Sequence, residues 1–162
     1  QSLSDLIYYS CGRKSGLDKR MHPSAGGRYP LEIYPFIFNV SNIEESVYHY
    51  HLKSHSLELL LNNQIYNHTM KQFNQIWIKK SNLLLVMTAV FDRAEVKYGD
   101  RGYRHILTEY GHMAQNFYLV GNALGLGLCS IGGFVDIGLN EILDIDGTTE
   151  SVIGVIAVGN KK

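Results

Sequence analysis

An α+β fold is predicted by three features of this 162-residue chain. Apolar residues recur at helical spacing along one long segment, from Tyr103 to Leu124. Several separate stretches carry alternating or continuous apolar runs of strand length. No internal repeat, low-complexity tract or linker divides the sequence, so residues 1–162 read as a single domain.

Each element can be justified in order. The opening SLSDLIYYSCG has Leu3, Leu6 and Ile7 at helical spacing, Ser2 or Ser4 as an N-cap and Gly12 as a stop. Because it begins on Gln1 in mid-element, the expectation is a fragment or an N-terminally shortened domain. Pro23-Ser24-Ala25-Gly26-Gly27 then permits either a tight connection or a close approach of the backbone to a flat ligand. Leu31 to Val40 follow as a strand covered on both faces. VYHYHLKSHSLELL predicts a hairpin broken around Lys53-Ser54. Residues 62–79 are amide-rich, with Ile65, Met70, Phe73, Ile76 and Trp77 at roughly helical intervals, and predict a helix. NLLLVMTAVF is a buried strand. The long helix is the spine of the domain: Tyr103, Ile106, Leu107, Tyr110, Met113, Ala114, Phe117, Val120, Gly121 and Leu124 form its apolar stripe, and glycines 125 and 127 end it. CSIGGFVD reads as a loop with paired glycines, GLNEIL as a short helix and SVIGVIAVG as a closing strand, for an order αβββαβαβ.

Composition narrows the function classes. A hydrophobic content of 45% supplies a core, and fifteen basic side chains balance fifteen acidic ones. The net charge therefore carries no nucleic-acid or membrane-surface footprint, and any anion site must be local. No apolar run reaches bilayer length and residues 1–12 lack a signal-peptide pattern, so a cytoplasmic location is the default. Cys11 and Cys129 lie far apart without metal or redox spacing and are expected to be small buried apolar residues.

Three clusters are candidates for chemistry. His49 and His51 share a strand face and His55 could join them, but a tolerant, half-exposed hairpin explains them better than a metal site. Glu109, His112 and Asn116 make a polar stripe on the long helix; a solvated face is the simpler reading, a subunit contact or cofactor edge the other. Lys97 and Tyr98 adjoin Gly99 as a breaker and Asp100 as an N-cap, just before the long helix. In an irregular turn both could aim at one site, a cation beside a phenol at the positive end of a helix, an arrangement suited to proton transfer. A lysine and a tyrosine snorkelling at a helix start is the alternative.

Taken together, R-x-x-PSAGG-x-YPLE at Arg20–Glu32, KYG-x-RGYR-x-x-x-x-E-x-G at Lys97–Gly111, QN-x-x-L-x-x-x-ALGLG at Gln115–Gly127 and IGGF-x-D at Ile131–Asp136 resemble the SagB-type flavin dehydrogenases of the nitroreductase superfamily. The resemblance implies a nitroreductase-like α/β sandwich with a mainly antiparallel sheet, a homodimer, and FMN held at the dimer interface. It implies oxidation of thiazolines and oxazolines in ribosomal peptides to thiazoles and oxazoles, in company with cyclodehydratase subunits and a precursor peptide. By the same resemblance Arg20, Pro23, Ser24, Ala25, Gly26 and Gly27 would line the FMN site. Ile131, Gly132 and Gly133 would form the loop whose backbone N–H faces flavin N5. Lys161, with Lys162 beside it, would serve the phosphate, and Lys97 and Tyr98 would be catalytic. The family's arginine- and serine-bearing segment ahead of the first helix has no counterpart here. A general NAD(P)H-dependent nitroreductase or flavin reductase, and a noncatalytic docking subunit of the same fold, are the alternative functions.

Overall fold

The structure, a computed structural model, describes residues 2–61 and 65–161. Its elements are α1 (Ser2–Cys11), β1 (Leu31–Ile37), β2 (Ser46–His51), β3 (Ser56–Leu61), α2 (Tyr66–Met70), β4 (Leu83–Val90), α3 (Asp92–Tyr98), α4 (Arg101–Ala123), β5 (Leu126–Ile131), α5 (Asp136–Leu143) and β6 (Glu150–Asn160). The strands form one six-stranded sheet in the order β3-β2-β1-β4-β6-β5, with every neighbouring pair antiparallel.

The unbroken apolar run of β4 is explained by layers on both faces of the sheet. Strand side chains alternate, so Leu83, Leu85, Met87 and Ala89 pack under α1 and α4 with Leu6, Ile106, Met113 and Phe117. Leu84 and Val86 point the other way, into a second core with Phe36, Ile78, Leu139 and Val155. Fully burying each Leu, Phe or Met contributes roughly 1.5–3 kcal/mol, so these two cores hold the sandwich together. Cys11 belongs to the first core; its thiol donates to Ile7 O at 3.1 Å, and burial pushes its pKa far up. Among the described residues no helix is long and apolar enough to cross a membrane.

Several sequence expectations are corrected. The helix predicted over 62–79 is two short pieces, α2 and a 3-10 turn at Ile76–Lys80, with residues 62–64 lying outside the described residues. Between them Phe73 bridges Phe134 and Gln72 O accepts the Val135 N–H, so the chain is drawn into extended pairing instead of continuing the helix. Ile76 and Trp77, counted in the predicted stripe, are exposed, while Ile78 is buried. The order αβββαβαβ omits α3 and β5. Only Ala94 of α3 is buried, which leaves no apolar period to read. β5 occupies a glycine-rich stretch that was expected to be helix end and loop: Gly125, at φ +73°, does terminate α4, but Gly127 pairs with Gly159 inside the sheet. Cys129 is exposed on this strand, not buried.

Two side-chain arrangements show how the sheet is pinned. Tyr110 of α4 reaches Ser130 of β5 at 2.9 Å, with its ring lying over Gly154. A methyl group at Gly154 would collide with that ring, so Gly154→Ala is expected to cost about 1–3 kcal/mol, read as a lowered urea midpoint. A Tyr110→Phe variant, keeping the ring and losing only the hydroxyl, should fall well short of that loss.

On the sheet surface His49 lies between Glu32 (3.1 Å) and Glu58 (3.0 Å), and Arg93 also binds Glu32. His51 instead bonds Ser54, and His55 bonds Ser4 and Tyr50, so the three histidines have separate partners. The Glu32 hydrogen bond, opposed by burial and joined by Glu58, raises His49 above its ordinary 6.5. Burial acts to raise Glu32, but the His49 and Arg93 contacts outweigh it and hold the carboxyl below its ordinary 4.5. The His49 contribution is thus complete below pH 6.5 and lost as pH rises through its raised value; that of Glu32 is present above pH 4.5 and lost as pH falls through its lowered value. His49→Gln should therefore destabilise most between these two values and progressively less toward alkaline pH, as checked by denaturation midpoints across the range.

Candidate functional site

The segment between α1 and β1 is folded by its own polar groups. Arg13 bridges Arg20 in a small hairpin closed by a bond from Lys14 N to Lys19 O at 2.8 Å. Arg20 donates through its guanidinium to Leu31 O at 3.0 Å, stacks on the Tyr29 ring at 4.9 Å, and gives its backbone N–H to the Tyr29 hydroxyl. Ser24 Oγ accepts the Tyr29 N–H at 2.8 Å, and Gly27 N and Arg28 N close a 3-10 turn on Ser24 O and Ala25 O. Gly26 and Gly27 sit at φ +58° and +64°, angles that a residue with a Cβ adopts only at a cost.

Lys97 and Tyr98 occupy the last turn of α3, not the irregular turn expected from sequence. Gly99, at φ +55°, ends that helix, and α4 starts directly beyond it without a capping bond from Asp100. Although adjacent on a helix, the two side chains bring their tips to the same place. A Cβ built on Gly26 would lie 2.5 Å from Tyr98 Oη and 2.6 Å from Lys97 Nζ. The ammonium sits 5.4 Å from the Tyr98 ring centre, and the His105 ring packs 4.6 Å from that of Tyr98. A mobile proton donor or acceptor pair therefore stands directly behind an exposed glycine turn.

Other expected site residues are placed elsewhere. Ile131 is buried in the second core, and Gly132 and Gly133 follow it as an exposed loop, Gly133 O accepting from Gln75 Nε2 at 3.2 Å. The pairings Ile131–Val155 and Val90–Glu150 put this loop at the same end of the sheet as Leu31 and the Ser24 turn. β4 and β6 intervene between β1 and β5, so the two turns are three strand spacings apart, roughly 14 Å. The cavity around Ser24, Gly26 and Gly27, of about 510 Å³, includes Arg20 and Pro23 but no residue of the 131–133 loop. Lys161 lies at the opposite end of the sheet, beyond the Asn160–Leu126 pairing, with its ammonium on Asn122 Oδ1 at 2.6 Å. Lys162 lies outside the described residues.

One pair in this region escaped sequence reasoning. His22 Nε2 meets Glu109 Oε1 at 3.2 Å, both side chains being almost fully buried, and the His22 ring packs edge-on to Tyr29. The polar stripe of α4 is thus turned inward, against the expectation of a solvated face. Asn116 donates to Ser10 O and Met21 O, and only His112 of the three is exposed. The signal available was a glutamate sharing a helical face with buried Ile106 and Met113.

An antiparallel six-stranded sheet, a long helix on one face, short helices on the other, and a glycine turn backed by a lysine and a tyrosine define an α+β sandwich of the nitroreductase type. The chain belongs to the nitroreductase family, whose model matches residues 10–160. It is 36% identical over 146 residues to MJ1384 of Methanocaldococcus jannaschii, a candidate nitroreductase, covering 90% of this chain and 74% of that protein. Over 142 residues it is 32% identical to the microcin B17-processing protein McbC of Escherichia coli, covering 83% of this chain and about half, 52%, of McbC. The solved E. coli microcin synthetase McbBCD complex with truncated pro-MccB17 bound contains a chain that matches with a TM-score of 0.88 at 27% identity, covering 99% of this chain and 63% of that one.

Proposed function

We propose that this domain is the core of an FMN-dependent dehydrogenase that oxidises thiazoline or oxazoline rings of a ribosomal peptide to thiazole or oxazole. The observation that carries the reading is the convergence of Lys97 Nζ and Tyr98 Oη on the Gly26 turn. Aromatising such a ring removes a proton and a hydride. Lys97 and Tyr98 take and relay the proton, a role that needs two groups able to exchange it at one point. When bound, FMN would supply the acceptor for the hydride.

The residues present fit such a group. A Cβ at Gly27 or Gly132 would meet no atom within 4 Å, so both backbones border open space that a flat ring can occupy. In this reading Ser24 and the Pro23–Gly27 backbone line the flavin, with Arg20 holding the turn through Tyr29 and Leu31. Gly132 and Gly133 would contribute N–H donors where negative charge develops on reduction, and the 14 Å between the two turns is bridged in a homodimer. Lys161 stands as the C-terminal cation. The similarity to McbC and to the McbBCD complex is the ground for cyclodehydratase subunits and a precursor peptide as partners, in the cytoplasm.

The identity with MJ1384 favours a second reading, a general NAD(P)H-dependent nitroreductase in which Lys97 and Tyr98 are incidental. The test is an absorbance spectrum of the purified protein, followed by mass measurement of a heterocyclised peptide. Bound flavin and loss of two hydrogens per ring are expected. Flavin with no mass change but NAD(P)H-driven nitro reduction would establish the second reading, and a protein that neither carries nor takes up flavin would be a docking subunit.

A further inference from the structure

We propose that the cavity between the Arg13–Arg20 hairpin and the Pro23–Gly27 turn is a phosphate site, with Lys14 and Lys19 as its cations. The chain as a whole carries no net charge, yet this hairpin gathers Arg13, Lys14, Lys19 and Arg20 against one acid, Asp18. Two of those cations are already engaged: Arg13 pairs with Asp18 at 3.3 Å, and Arg20 is held by Leu31 O and the Tyr29 ring. Lys14 and Lys19 are not. Among the described residues no ion pair or side-chain hydrogen bond engages either ammonium, and the backbone bond between them sets the two side by side on the hairpin. Both line the cavity, opposite Ser24 and Gly26.

A second, independent feature marks the same cavity. His22 lines it and is 2% exposed; its Nε2 is taken by Glu109, while its Nδ1 is buried without any hydrogen-bond partner. A buried polar atom left in this state is costly unless a bound group or an ordered water completes it. At about 510 Å³ the space is of the size that small ligands occupy. Two ammonium groups in one wall match a group that is doubly negative at neutral pH, which a phosphate monoester is and a single carboxylate is not. Lys161, at the far end of the sheet, does not reach this cavity within one chain.

Assigning the phosphate to the flavin rests on the function proposed above; the anion site does not. The experiment compares the wild type with Lys14→Gln/Lys19→Gln and with the charge-retaining Lys14→Arg/Lys19→Arg. Inorganic phosphate, titrated against sodium chloride of matched ionic strength, should raise the thermal midpoint of the wild type and of the arginine variant and leave that of the glutamine variant unmoved. An equal rise in all three, or none in the wild type, overturns the site. In the second arm, affinity for FMN is compared with that for riboflavin, which lacks the phosphate. The preference for FMN should fall about tenfold per lysine removed. A preference that survives intact while the first arm holds overturns the flavin as the source and assigns the site to the phosphate of a nicotinamide dinucleotide. Failure of the wild type to bind either flavin defeats the proposed function alone, and the first arm still decides the site.

Discussion

Lys97→Ala and Tyr98→Phe are each expected to lower azoline oxidation by about 100- to 10,000-fold, the largest effect on activity that this fold offers. Lys97 is exposed and Tyr98 half-buried, so neither substitution removes a core contact. Both leave Gly26 and its neighbours at their own backbone angles, and flavin absorbance should be retained. The loss should appear in kcat, since the proton is moved only as the reaction proceeds. Lys97→Arg, which keeps the charge but not an exchangeable proton at neutral pH, should behave like the alanine variant if Lys97 transfers the proton, and like the wild type if it serves only as a charge. Full oxidation rates in both the alanine and phenylalanine variants would remove the acid–base assignment.

Glu109→Ala should be the most damaging single change to stability outside the two apolar cores, at about 3 kcal/mol. The carboxyl is 2% exposed and its partner imidazole is fully enclosed. His22 Nδ1 has no partner, so losing Glu109 would leave both ring nitrogens buried and unpaired. Glu109→Gln keeps an oxygen in reach of Nε2 and should cost less. The paired replacement His22→Phe/Glu109→Leu removes the polar groups together and should recover much of the loss, which urea denaturation of the four proteins would measure. A double variant as unstable as Glu109→Ala would show that packing, and not the orphaned imidazole, sets the cost.

The parts of the fold that could be read from the chain are those where one periodicity acts alone. β4 and α4 were legible because each carries a long apolar pattern that tertiary packing reinforces: eight strand residues filling two cores, and Ile106, Met113 and Phe117 one to two turns apart. α3 was not, since a seven-residue helix with one buried alanine leaves no such pattern. The region 62–79 misled because its apolar spacing was real while its amide side chains and the Phe73–Phe134 bridge set the backbone. In the candidate site, two glycines in sequence signalled a turn, but nothing local to Lys97 and Tyr98 tells that they reach Gly26, seventy residues earlier. That juxtaposition was implied only by the family motifs. The His22–Glu109 pair was invisible for the same reason: a glutamate on a helix reads as solvated until the residue that meets it, 87 positions away, is known.

That separation orders events during synthesis. The ribosome releases the glycine turn long before it makes the acid that anchors the neighbouring imidazole, and closing so distant a contact must wait for the long helix to dock. A nascent chain halted before α4 would hold its first hairpin strands yet lack an organised ligand pocket, so capacity to bind should arise late and in a single step, together with the closing of the first core.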